Sequence, residues 1–122
     1  MKEVRAYVQT FMLEHVIEAL LAIPGFPGIS VMDARGFGSE RAAPHVAGPA
    51  EELTDFTPKV RLEIVVPDSL VDQVVQAIAG AARTGNRGDG KIFVADVKRA
   101  VRVRTGEEGD PALGPSRHGE GD

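Results

Sequence analysis

Twice along this chain an alternating run of apolar residues gives way, within a few positions, to an apolar stripe at helical spacing. In Lys2 to Gln9, Val4, Ala6 and Val8 alternate with Glu3, Arg5 and Tyr7, the pattern of a half-buried strand. From about Met12 to Ala22, Leu13, Val16, Ile17, Leu20 and Leu21 follow the spacing of one helix face. The change of period recurs in Lys59 to Pro67, where Val60, Leu62 and Ile64 alternate with Arg61, Glu63 and Val65. A second helix runs to about Arg83 on Leu70, Val71, Val74, Val75, Ile78 and Ala81, with Asp68 or Ser69 before it as a cap.

Each strand-helix pair is followed by another extended segment. Pro24-Gly25-Phe26-Pro27-Gly28 stops the first helix, and Ile29 to Gly36 reads as a strand. Lys91 to Val97 reads as the last strand, and Val101 to Thr105 as a short extended piece with Arg102 and Arg104 on one side. Between the halves, Ser39 to Thr57 has no sustained period and is expected to be a long loop, a kind usually functional or disordered. From Gly106 the chain is rich in Gly, Pro and charge. The order β-α-β-loop-β-α-β predicts an α+β, ferredoxin-like βαββαβ sandwich: an antiparallel sheet with two helices on one face. Its other face needs cover, which small domains of this kind commonly obtain by oligomerising. The domain is expected to span 1–113, with the long loop at about 38–57 and a flexible tail at 114–122.

Composition narrows the function. The 122 residues suit one domain. At 43% hydrophobic and 26% charged, the chain is globular. A net charge of −4 argues against general nucleic-acid binding. The absence of cysteine excludes disulfides and thiolate metal sites. No stretch nears the roughly 20 apolar residues of a membrane span, and no signal-peptide pattern is present. A cytoplasmic protein is expected.

The chemistry concentrates in Thr84 to Val94, which reads TGNRGDGKIFV. Gly85, Gly88 and Gly90 permit positive φ and close approach of backbone N–H groups to a ligand. Successive N–H groups in such a turn form a concave anion site, and Lys91 adds a compact positive charge. The stretch can therefore cradle phosphate, although the same glycines would also serve a plain turn between helix and strand. It is not the G-x-x-x-x-G-K-[ST] pattern.

These residues carry a resemblance. TGNRGDGKIFV at 84–94 matches the C-terminal signature of the P-II signal-transduction family. Gly36-Phe37-Gly38, Pro58-Lys59-Val60, Glu63 to Asp68 and Arg102 to Glu107 stand in that family's order and spacing. The chain resembles the family from Met1 to about Leu113. The resemblance implies a homotrimer that binds ATP or ADP, with Mg²⁺, in clefts between subunits. It implies a regulatory protein, not an enzyme, that engages a membrane transporter or metabolic enzyme through the long T-loop. Recruitment to the inner face of the membrane by a transporter would follow. Gly88, Asp89, Gly90 and Lys91 would wrap the phosphates, and Arg102 and Arg104 would reach them from the neighbouring subunit. Ser30, Gly36, Phe37, Gly38, Ser39, Glu63, Val65 and Thr84 match positions lining the nucleotide cleft, and Glu40 and Lys59 match the site of a small effector anion.

The T-loop departs from the family pattern. Val46 to Glu52 stands where some members carry a modified tyrosine, and the chain's one tyrosine is Tyr7. Modification of a loop tyrosine is therefore ruled out. Gly48 stands where some members have the arginine that plugs ammonium channels. Glu40 replaces the family's usual glutamine and would set a negative charge beside two anions. A like-charge contact at about 4 Å is worth on the order of 1 to 4 kcal/mol, which disfavours 2-oxoglutarate, whereas Lys59, its expected partner, is retained. Divergent P-II-like proteins serve bicarbonate or heavy-metal transport, and that reading stays open here. Two others belong to different classes. A weak ATPase would need a base–nucleophile pair, but His15, His45 and His118 are scattered. A metal module would use His45, Glu51, Glu52 and Asp55, with His118 joining across a trimer, yet such sites need three or four convergent ligands.

Overall fold

The structure, a computed structural model, describes residues 1–36 and 56–114. Four strands, β1 (Lys2–Gln9), β2 (Ser30–Gly36), β3 (Thr57–Val66) and β4 (Gly90–Asp96), form one antiparallel sheet in the order β2-β3-β1-β4. Two helices, α1 (Leu13–Leu21) and α2 (Val71–Ala82), pack on one face. This is the ferredoxin-like arrangement expected from the element order. The expected T-loop, apart from its last residues, lies outside the described residues, as does the expected tail beyond Gly114.

The alternation in β1 and β3 builds the core directly. Val4, Ala6 and Val8 of β1 and Val60, Leu62, Ile64 and Val66 of β3 are buried beneath Val16 and Leu20 of α1 and Val74, Ile78 and Ala82 of α2. Each large apolar side chain so buried contributes about 1.5–3 kcal/mol. Leu21, read as part of the α1 stripe, stays 69% exposed, because the buried line through Val16 and Leu20 leaves it on the flank. β3 starts two residues earlier than the alternation suggested. Its Pro58 pairs with Arg35 of β2, while the β1 ladder ends at Gln9 and Lys59. One side of the strand is therefore open at Pro58, and its missing N–H breaks no ladder bond.

β2 begins at Ser30, one residue later than expected, and is mostly exposed as an edge strand. β4 is the other edge. α2 packs more over β1 than over β4, so Val94 on the helix side remains 47% exposed. The opposite sheet face carries Glu3, Arg5 and Tyr7 of β1, Lys59, Arg61, Glu63 and Val65 of β3, and Phe93 of β4, as the register requires. There Arg61 pairs with Glu63, and the Tyr7 and Phe93 rings meet edge to face at 6.4 Å.

The segment after β4 corrects one expectation. Val101 to Thr105 is not an extended piece. Val101 bridges to Glu108, and residues 103–105 form a turn. The Arg102 N–H donates to the Glu107 carbonyl at 2.8 Å and the Gly106 N–H to the Arg102 carbonyl at 2.8 Å. Gly106, at φ 78°, permits this reversal, which separates the two arginines instead of aligning them.

Candidate functional site

Antiparallel pairing brings four chain ends to one end of the sheet. β1 finishes there at Gln9, β2 finishes at Gly36, β3 starts at Thr57 and β4 starts at Gly90. The glycine-rich loop after α2 and both roots of the long segment 37–55 therefore share this end.

The loop is tied around one carboxylate. Asp89 accepts hydrogen bonds from the Thr84 N–H at 2.7 Å, the Thr84 hydroxyl, the Gly85 N–H at 2.9 Å and Gln9 Nε2 at 3.1 Å. The Asn86 N–H in turn donates to the Thr84 hydroxyl at 3.2 Å. The Thr84 hydroxyl, followed by its N–H, holds the Asp89 carboxyl below the ordinary carboxylate value, because each bond favours the ionised form. The expected phosphate-wrapping set thus contains one member whose charge is directed inward, onto the loop's own donors. Gly85, Gly88 and Gly90 all have positive φ, at 86°, 87° and 117°, as the close turn requires.

Lys59 Nζ donates to the carbonyl of Gly88, joining β3 to the loop across the end of β1. Lys91 follows the loop as an exposed residue opposite Tyr7. Ser30 and Glu63 are register partners on the open face, with Val65 two residues further along β3. Gly36 lies at the root of the long segment. Between the end of α2 and the start of β4 is a cavity of about 240 Å³, with Val8, Ile78, Ala82, Arg83, Lys91 and Ile92 among the residues that line it.

Arg102 is placed differently from Arg104. Its side chain is 3% exposed and pairs with Glu107, Nε to Oε1, at 3.3 Å. It also donates to the carbonyls of Pro111, at 3.4 Å, and Gly114. Arg104 sits exposed on the 103–105 turn. Phe37, Gly38, Ser39 and Glu40 lie outside the described residues, as do the candidate metal ligands His45, Glu51, Glu52, Asp55 and His118. Among the described residues no cluster of three or more metal-ligating side chains occurs. His15 is exposed on α1. Sequence reasoning missed Gln9, whose only signal was its phase at the end of β1, and the pairing of Glu107 with Arg102, which depends on the turn between them.

The sequence model of the family described as nitrogen regulatory protein P-II matches residues 1–107. The chain belongs to the P-II family. It is 48% identical over 113 residues to a nitrogen regulatory protein P-II of Haemophilus influenzae, covering 93% of this chain and all of that protein. Over the same shares, identity is 46% to nitrogen regulatory protein P-II of Rhodobacter capsulatus and 47% to nitrogen regulatory protein P-II 1 of Escherichia coli K12. The protein is thus a P-II member, of a nitrogen-regulatory signal-transduction family, with the fold described above. No described helix is long and apolar enough to cross a membrane.

Proposed function

We propose that this P-II protein binds ATP or ADP with its phosphates on the loop 84–91, in clefts between the subunits of a homotrimer. We further propose that nucleotide occupancy controls how segment 37–55 engages a target protein, a transporter or a metabolic enzyme. The observation that carries this reading is the Lys59 to Gly88 hydrogen bond at the shared end of the sheet. The loop proposed to take the phosphates and the strand that leaves the long segment are there linked by one cation, which an incoming anion would also attract. Allostery by ordering a segment needs such a junction.

Other features agree. Asp89 turns its charge onto the loop's own N–H groups, which leaves Lys91 to meet an anion. Mg²⁺ would accompany ATP as its ordinary counterion. Lys59, with Glu40, would hold a small effector anion, and the extra carboxylate of Glu40 weakens that role for 2-oxoglutarate. Trimerisation would cover the open sheet face, where Phe93 is 49% exposed. Arg104, on its exposed turn, suits a phosphate on a neighbouring subunit.

Isothermal titration with ADP, and with Mg-ATP in the presence and absence of 2-oxoglutarate, tests the reading. Saturable binding near one nucleotide per chain is expected, with little tightening by 2-oxoglutarate. Absence of nucleotide binding would overturn it.

A further inference from the structure

Gln9 and Lys59 are Cα partners at the last rung of the β1–β3 ladder. From there they hold consecutive loop residues: Lys59 takes the carbonyl of Gly88, and Gln9 Nε2 reaches the carboxylate of Asp89 at 3.1 Å. The remaining bonds to Asp89 come from Thr84 and Gly85. Those bonds close the loop on itself. They set its shape. The exit of the loop is fixed where Gly90 pairs with Val8, and its entry comes off α2. The stretch between is fastened to the sheet through Gln9 and Lys59. A glutamine suits the task, because a neutral donor bonds strongly to a carboxylate without adding charge beside an anion site.

We propose that Gln9 is a positioning residue for the phosphate loop, anchoring the ring of bonds around Asp89 to β1 and so setting where the loop meets phosphate. This inference rests on the nucleotide reading above. It predicts that position 9 governs affinity for the phosphate chain and not for the nucleoside.

The test uses the full-length protein, with ATP and adenosine as probes, and the variants Q9L and Q9E. Q9L removes the donor. It should weaken ATP about tenfold, an effect within reach of one hydrogen bond to a charged group, while adenosine affinity and melting temperature stay near wild type. Q9E sets a second carboxylate against Asp89 and should weaken ATP further at pH 8. At position 9 the side chain meets Asp89 of the loop and has Lys59 of β3 as its ladder partner. The carboxyl introduced by Q9E takes up a proton as the pH falls, and so does the terminal phosphate of ATP, since phosphate has its second pKa at about 6; Q9E is therefore compared with wild type at each pH. Repulsion from Asp89 raises the pKa of the introduced carboxyl, and once protonated it again offers a donor. ATP binding by Q9E should therefore recover toward that of wild type as the pH falls toward 5. The inference is overturned if both variants bind ATP as wild type does, if ATP and adenosine lose affinity in equal proportion, or if the Q9E deficit ignores pH. Wild-type protein that binds no ATP would overturn the underlying reading, and this inference with it.

Discussion

A Cβ on Gly90 would stand 1.8 Å from the backbone carbonyl oxygen of Tyr7. Gly90 begins β4 at φ 117° and pairs with Val8, so the two strands touch where any side chain would intrude. The glycine here is demanded twice, by conformation and by space.

Gly90→Ala should therefore be much more damaging than Gly85→Ala. At Gly85, φ is 86° but a Cβ would meet nothing within 4 Å, so that substitution costs about 1–2 kcal/mol for the left-handed backbone. At Gly90 the clash is added and the first rung of the β1–β4 ladder must open. Urea midpoints of the two variants measure the difference. Equal midpoints would show that the strands part easily at this point.

Arg102 should be needed for the order of the C-terminal segment. Its guanidinium is 3% exposed beside Glu107 at 11%, and it holds the carbonyls of Pro111 and Gly114. Arg102→Met would leave the Glu107 carboxylate in a nearly closed site without that cation, a change worth about 3–5 kcal/mol when a buried pair is broken. Hydrogen exchange should then rise across residues 106–114 and stay unchanged in β1. Arg104→Met, on the exposed turn, should raise exchange across 106–114 less than Arg102→Met does and leave β1 untouched. An Arg102→Met protein with a wild-type exchange pattern would show that the contacts are idle.

Core and edge should part in the same way. Leu62 is fully buried in β3 and Val94 is 47% exposed on β4, although both sit on the helix side of the sheet. Leu62→Ala should lose about 2–5 kcal/mol, and Val94→Ala about 0.5 kcal/mol, the range of surface positions. Denaturant unfolding of each variant checks the ratio. A large loss at Val94 would mean that this edge is covered in solution.

The contrast between those residues explains what was legible in the sequence. β1 and β3 are central and one-sided, so their burial follows a period of two and the alternation at Val4, Ala6, Val8 and at Val60, Leu62, Ile64 located them. α1 and α2 were legible for the same reason at helical period, with Leu21 the excess that the stripe could not exclude. β2 and β4 are edges whose exposure blurs the pattern, and their boundaries drifted by a residue. The glycines of 84–90 were visible as a tight turn between helix and strand, because residue type alone carries the freedom for positive φ. The inward turn of Asp89 and the hold of Gln9 on it were not. Both depend on which side chain stands at the end of a strand paired from the far half of the chain. The fate of Arg102 was hidden likewise, because one reversal at Gly106 replaced the extended piece that would have aligned it with Arg104.

Asp89 should impart an acid sensitivity that can be traced to this loop. Bonds from the Thr84 hydroxyl, the Thr84 and Gly85 N–H groups and Gln9 hold its carboxyl below the ordinary value. A carboxyl whose folded pKa is depressed stabilises the native state fully above its unfolded pKa, about 3.9. That contribution fades as the pH falls through the lower, folded value. Wild-type protein should therefore show no change from this group between about pH 7 and pH 5, and a decline below about pH 4. Asp89→Asn replaces the ionised acceptor with an amide that turns an N–H₂ toward the same donors. The stability gap between wild type and this variant should be widest at neutral pH and should narrow as the pH drops below about 4. Urea midpoints of both proteins across that pH range provide the measurement. A gap that stays constant with pH would mean that the charge of Asp89 contributes nothing to holding the loop, and that its hydrogen-bonding shape alone is required.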